Sequence, residues 1–145
     1  MQLAPPPTSP DVRALGANRA WWIAPGLLYV AYGGLEHRNG AVFTEEDAAT
    51  GTELVATFTG GHSVYMIADI RNLRSTSREA RHTRNQDEGS VVALLVGCSV
   101  TRMIASAYLG LNRPKQLTRV FSNAEKALNW LLRVRRDRNE EPVPA

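Results

Sequence analysis

An acid at the end of an apolar strand, followed by hydroxyls and arginines, is the part of this sequence best suited to chemistry. Asp69 lies at the C-terminal end of the almost wholly apolar run 63–70, and a polar segment extends from Arg71 to Gly89. In open α/β sheets, ligands bind just beyond the carboxyl ends of the strands. Hydroxyl groups among arginines suit phosphorylation or the binding of an anion. The residues predicted to form a binding or switch site are Asp69, Arg74, Ser75, Ser77 and Arg78.

The same hydroxyls have a structural interpretation, in which they only cap a helix. Thr76-x-x-Glu79 resembles a capping box, and the residues that follow it, 80–85, are nearly all polar. That pattern predicts a short, exposed helix with its arginines in solvent. Hydroxyls before a helix are usually caps. Both interpretations are open from the sequence.

Other reactive residue types do not form a catalytic or metal-binding pattern. The three histidines, His37, His62 and His82, lack the close spacing of metal ligands. Cys98 ends an apolar run and is interpreted as a small buried hydrophobic residue. We therefore expect no metal, no cofactor and no catalytic residue.

Composition indicates a single cytoplasmic domain. The chain has 145 residues, of which 43% are hydrophobic and 21% charged, and one cysteine, which excludes an internal disulfide. Neither a signal peptide nor an apolar window of about 20 residues is found, so no membrane association is expected. The net charge of +3 is small. The arginines near the end of the last predicted helix suit the helix dipole, which explains them without nucleic-acid binding and makes that function the least favoured of those considered.

The chain divides into one domain and two tails. Residues 1–17 are rich in proline and 137–145 combine charges with proline, so both are predicted to be disordered tails around a domain at 18–136. Within the domain the predicted order is ββαβαβαβα, with strands over 19–24, 27–32, 64–70, 91–98 and 116–121. Alternating strands and helices predict an α/β fold with a central, mixed and mostly parallel sheet of about five strands.

A family resemblance rests on the element order and on six segments of the sequence. The segments are IADI (67–70), STSREAR (75–81), VVALL (91–95), LGLNRP (109–114), RVF (119–121) and ALNWL (127–131). The chain resembles STAS-like domains, the SpoIIAA-like family of anti-sigma-factor antagonists. Within that fold it looks most like a group of uncharacterised bacterial proteins. In the antagonists a serine beside an Asp-ended strand is phosphorylated by a partner kinase, which implies a switch near Ser75 and Ser77. This chain lacks the family's Asp-Ser-Ser-Gly motif and has Arg74 and Arg78 instead.

These features favour a non-enzymatic regulatory module that binds a protein partner, or an anionic small ligand, through residues 69–82. The alternative is a small-molecule-binding protein or an enzyme with a pocket around Asp69, Ser75 and Ser77. A basic nucleic-acid binder is a third reading. The aromatic pair Trp21-Trp22 in the first hairpin also predicts a homodimer that uses the hairpin or an adjacent helix.

Overall fold

The computed structural model describes residues 12–34, 41–60, 62–76, 90–112 and 117–140. The strands in these ranges are β1 (Arg13–Leu15), β2 (Asn18–Ala24), β3 (Leu27–Ala31), β4 (Ala41–Phe43), β5 (Tyr65–Asp69), β6 (Leu73–Thr76), β7 (Val91–Leu95) and β8 (Leu117–Phe121). The helices are α1 (Glu45–Thr59), α2 (Ser99–Asn112) and α3 (Ala124–Glu140). None of the helices in the described ranges is long and apolar enough to cross a membrane.

Six strands form the central sheet in the order β1-β2-β3-β5-β7-β8. The first two pairings are antiparallel, and those of β3 with β5, β5 with β7, and β7 with β8 are parallel. The continuous apolar runs of β5 and β7 are central because strands buried on both faces need apolar side chains in both directions. The predicted α/β class and the mixed central sheet are confirmed, with six strands rather than about five.

Alternation of side chains along the strands divides the core into two layers. Met66 and Ala68 of β5 face one layer, which contains α1, α2 and the small parallel sheet of β4 and β6; we call this side the α1–α2 face. Ile67 faces the opposite layer, which α3 covers with Leu128 and Leu131; we call this side the α3 face. The sheet is therefore covered by helices on both sides.

Local capping explains where α1 and α2 begin. Thr44 accepts from the backbone N–H of Asp47, whose carboxylate accepts from the backbone of Thr44, so a complete capping box opens α1. At α2 the hydroxyl of Thr101 accepts from the backbone N–H groups of Gly97 and Cys98. Ser99 is the first residue of that helix.

Three predicted boundaries are wrong. Strand β1 lies inside the predicted tail 1–17, and it pairs with β2 through Ala14 and Arg19. Helix α3 continues to Glu140, inside the predicted tail 137–145. Ser75 belongs to strand β6, which pairs with β4, although the sequence placed it at a helix start. The helix predicted to follow Thr76 lies outside the described residues.

Candidate functional site

Asp69, Tyr29 and Arg71 form a buried hydrogen-bonded cluster where β5 ends. The Tyr29 hydroxyl donates to Asp69 Oδ2 at 2.5 Å. Arg71 donates side-on to both carboxylate oxygens, from Nε to Oδ1 at 3.0 Å and from Nη2 to Oδ2 at 2.9 Å. Its backbone N–H also donates to Oδ1 at 3.0 Å. The Asp69 side chain is 1% exposed and that of Arg71 is 26% exposed.

The strand registers place these three residues together. Ala31 of β3 lies opposite Asp69 of β5, so Tyr29 is two residues earlier on the neighbouring strand and faces the same side, the α3 face. Trp21 of β2 stacks on Tyr29 with 4.5 Å between ring centroids and 12° between planes. This aromatic contact holds the Tyr29 ring, and the hydroxyl is thereby directed to the end of β5.

The ion pair determines the charge states in the cluster. Burial by itself raises the pKa of Asp69, but hydrogen bonds from Arg71 and Tyr29 outweigh burial, so the pKa of that carboxyl lies below its ordinary value. Burial, and then the charge of Asp69, raise the pKa of Tyr29 above its ordinary value. At neutral pH the cluster therefore holds one carboxylate, one guanidinium and a neutral phenol.

The loop between β5 and β6 is fixed at further points. A Cβ atom at Gly97 would lie 3.2 Å from Cγ of Arg71, so the arginine stem rests against the junction of β7 and α2. Asn72, which is buried, donates to the backbone oxygen of Gly33. The next residue, Leu73, is also buried and starts β6 in the core of the α1–α2 face. These contacts determine where β6 begins.

The structure does not bring the predicted site residues together. Asp69 faces the α3 face, whereas β6, which carries Arg74 and Ser75, lies with β4 on the α1–α2 face. Arg74 and Ser75 are exposed, as predicted, but Asp69 is too buried to contact a partner directly. Ser77 and Arg78 lie outside the described residues.

The alternative pocket around Asp69, Ser75 and Ser77 stays a prediction, because Ser77 lies outside the described residues. Asp69 and Ser75 lie on opposite sides of the sheet, and both oxygens of Asp69 already accept hydrogen bonds. A general base must reach the proton that it removes, which a carboxylate enclosed by Tyr29 and Arg71 does not do here. His82, considered above with the metal ligands, also lies outside the described residues. Within the described ranges no group of three or more potential metal ligands occurs.

Sequence reasoning missed the roles of Tyr29 and Arg71. One signal was available: Asp69 and Arg71 are two residues apart at the end of a strand, so their side chains leave on the same side. Tyr29 is a polar-tipped residue in an otherwise apolar strand, and a buried tyrosine hydroxyl usually requires a partner. The sequence did not reveal which strand would lie beside β5.

Comparison with known proteins places the domain in a family. No curated protein and no solved structure matches the chain significantly. Residues 21–135, from Trp21 in β2 to Arg135 in α3, match the family model described as "Domain of unknown function (DUF7793)". The match covers most of the chain and all of the elements that build the buried cluster, and the protein therefore belongs to the DUF7793 family.

Proposed function

We propose that this protein is a non-enzymatic regulatory module that binds a protein partner through the exposed strand β6 and the segment that follows it. Arg74 and Ser75 are the described contacts, and Ser77 and Arg78 extend the surface along the chain. The partner is acidic at its point of contact, because β6 carries one arginine and no acid. Asp69 is a positioning residue rather than a contact.

The observation that carries the proposal is that the polar groups around the loop leading to β6 form hydrogen bonds with one another. Asp69 accepts from Tyr29 and Arg71, and Asn72 donates to Gly33. Groups engaged in this way hold a loop in place but are not available as a nucleophile or base. A rigid scaffold that presents an exposed polar segment is a common arrangement for binding.

The finer fold assignment forms part of the same proposal. We infer a STAS-like, SpoIIAA-like domain from the element order, which includes an antiparallel hairpin, β2 and β3, followed by parallel β5, β7 and β8. The resemblance suggests regulation by phosphorylation near Ser77. The arginines at 74 and 78 would stabilise a phosphate, which carries about −1.5 to −2 charges.

Affinity capture with charge-reversed variants tests the proposal. The full chain, and its variants Arg74→Glu and Arg74→Glu/Arg78→Glu, are immobilised and exposed to lysate of the source organism, and bound proteins are quantified by mass spectrometry. Arg133→Glu is the matched control, since Arg133 is an exposed helical arginine on α3, on the other side of the sheet. We expect a protein that is captured by the wild type and by Arg133→Glu, and lost with both Arg74 variants.

Stability measurements separate a lost contact from a lost fold. Exposed substitutions such as Arg74→Glu are expected to change the free energy of unfolding by less than about 0.5 kcal/mol. Equal capture of the same proteins by the wild type and the double variant would show that β6 and its extension are only a solvated connection.

A further inference from the structure

The α1–α2 face has opposite charges on its two flanks. Helix α1 contains four acidic residues and no lysine or arginine, and three of the acids, Glu45, Glu46 and Glu53, are exposed. Helix α2 contains a single charged residue, the exposed Arg102. Strand β6, which contacts α2, adds the exposed Arg74. One flank of the face is therefore acidic and the other basic.

Exposed apolar side chains accompany these charges. Val42 on β4 is 41% exposed, and Val100 and Met103 on α2 are 39% and 72% exposed. Among the described side chains of α2, the buried ones are Thr101 and Ala105. An exposed methionine with neighbouring apolar groups and a charged rim is typical of a protein-binding surface.

The two helices begin at the same edge of the sheet. Asn18, next to the carboxyl end of β3, donates to the backbone oxygen of Asp47 in the first turn of α1. Helix α2 begins at Ser99, after a three-residue connection from the carboxyl end of β7. Both helices then run back toward the amino-terminal ends of the parallel strands, so the two helices point in the same direction.

This shared direction makes the face complementary to itself. A two-fold axis lying along the face and parallel to the helices places α1 of one copy over α2 of the other, with their first turns side by side. Glu45 and Glu46 then lie by Arg102 of the second copy. A two-fold axis perpendicular to the helices would instead place α1 on α1, where like charges repel.

We propose that a second copy of this chain covers the α1–α2 face in a two-fold symmetric dimer with α1 packed on α2. The contact occurs twice because such an interface uses the same surface on both subunits. This inference does not rest on the proposed function. Strand β6 lies on the same face, so a partner bound at Arg74 and a second copy compete for it.

Sedimentation equilibrium of the full chain tests the dimer, with charge reversal on each flank. Arg102→Glu and Glu46→Arg each replace two attractive contacts per dimer by repulsive ones. We expect each variant to weaken dimerisation by about tenfold or more. The double variant Glu46→Arg/Arg102→Glu restores opposite charges across the interface and should recover the wild-type dissociation constant to within a few-fold. Arg133→Glu is the control of equal charge change on α3, and it should leave the dimer intact.

Two further measurements make the test independent of any one variant. Met103→Asp places a charge among the apolar contacts and should give a monomer. Its melting temperature should equal that of the wild type at concentrations where the wild type is also monomeric, since Met103 contributes little to the core. Added salt should weaken the wild-type dimer, because exposed charges are screened. A wild-type chain that stays monomeric at high micromolar concentration would overturn the proposal. So would a dimer that survives Met103→Asp, or single charge reversals that the double variant does not rescue.

Discussion

Replacing Asp69 by asparagine tests whether the buried cluster holds the loop after β5. Asparagine keeps the size of the side chain and one oxygen acceptor, but it removes the charge. The Arg71 guanidinium would then be three-quarters buried without its counter-ion, and its side-on pair of hydrogen bonds would be reduced to one. The Tyr29 hydroxyl would compete for the same remaining oxygen.

The expected loss follows from these contacts. Removing one member of a buried ion pair costs about 3–5 kcal/mol, because the other charge is left uncompensated. Arg71 is 26% exposed and can turn partly toward water, so we expect a loss of about 2–3 kcal/mol for Asp69→Asn. For a domain of this size each kcal/mol lowers the melting temperature by about 2–4 °C, which gives roughly 5–10 °C in total.

Chemical denaturation, with the melting temperature as a second measure, provides the assay. Tyr29→Phe removes a single hydroxyl that donates to a charged acceptor, so its expected cost is smaller, about 1.5–2 kcal/mol. In a double-mutant cycle with Asp69→Asn, the double variant should lose less free energy of unfolding than the sum of the losses of the two single variants, since the residues are in contact. Arg74→Gln, an exposed change, is the control. If Asp69→Asn is as stable as Arg74→Gln, the cluster does not hold the loop and the reasoning above is wrong.

Three other perturbations have defined outcomes. Because the pKa of Tyr29 is raised in the folded protein, the unfolded chain loses its phenol proton at a lower pH than the folded chain does. The free energy of unfolding should therefore fall as pH rises above about 10. Denaturant titrations at several pH values should show a smaller fall for Tyr29→Phe. The lowered pKa of Asp69 affects stability at acid pH. The carboxylate's contribution to the free energy of unfolding is present above about pH 4 and is lost as pH falls through the folded-state pKa. Asp69→Asn should therefore reduce the dependence of stability on pH in the acid range. Gly51→Ala in α1 should destabilise the protein by about 1 kcal/mol or more, because the added Cβ would lie 2.8 Å from the Tyr32 ring. This clash outweighs the better helix propensity of alanine. A variant with equal or higher thermal stability would contradict the prediction.

The central strands could be predicted because burial on both faces leaves a strong signal in the sequence. Val91 to Leu95 is apolar at every position, and every one of these residues is buried. The short strands left no comparable signal. β1 is three residues long with two exposed, and β6 combines one buried leucine with polar residues, so their pairing depends on neighbours that are distant in the chain.

The face of α2 shows a second kind of limit. A helical pattern gives the spacing of apolar residues, but it does not say which side of the helix meets the sheet when both sides carry them. Ile104 and Ala105 pack against the core, whereas Val100 and Met103 are exposed. A helix with apolar residues on two sides has more apolar surface than one core can cover, and that surplus is the origin of the proposed dimer face.

The sequence placed Asp69 at the end of a buried strand, but it did not reveal the role of this acid. Asp69 was predicted to be part of a binding or switch site because ligands bind just beyond the carboxyl ends of the strands in open α/β sheets. Its burial depends on Tyr29, which is forty residues earlier and comes into reach only through the parallel register of β3 with β5. That register is set by a long crossover, so no local pattern contains it. In this arrangement the carboxylate accepts hydrogen bonds from the Tyr29 hydroxyl and from Arg71. It therefore holds the loop in place and does not contact solvent. The proposed binding role falls on the residues beyond the loop, beginning with Arg74 and Ser75, and the two roles can be separated by the stability and capture measurements proposed for each.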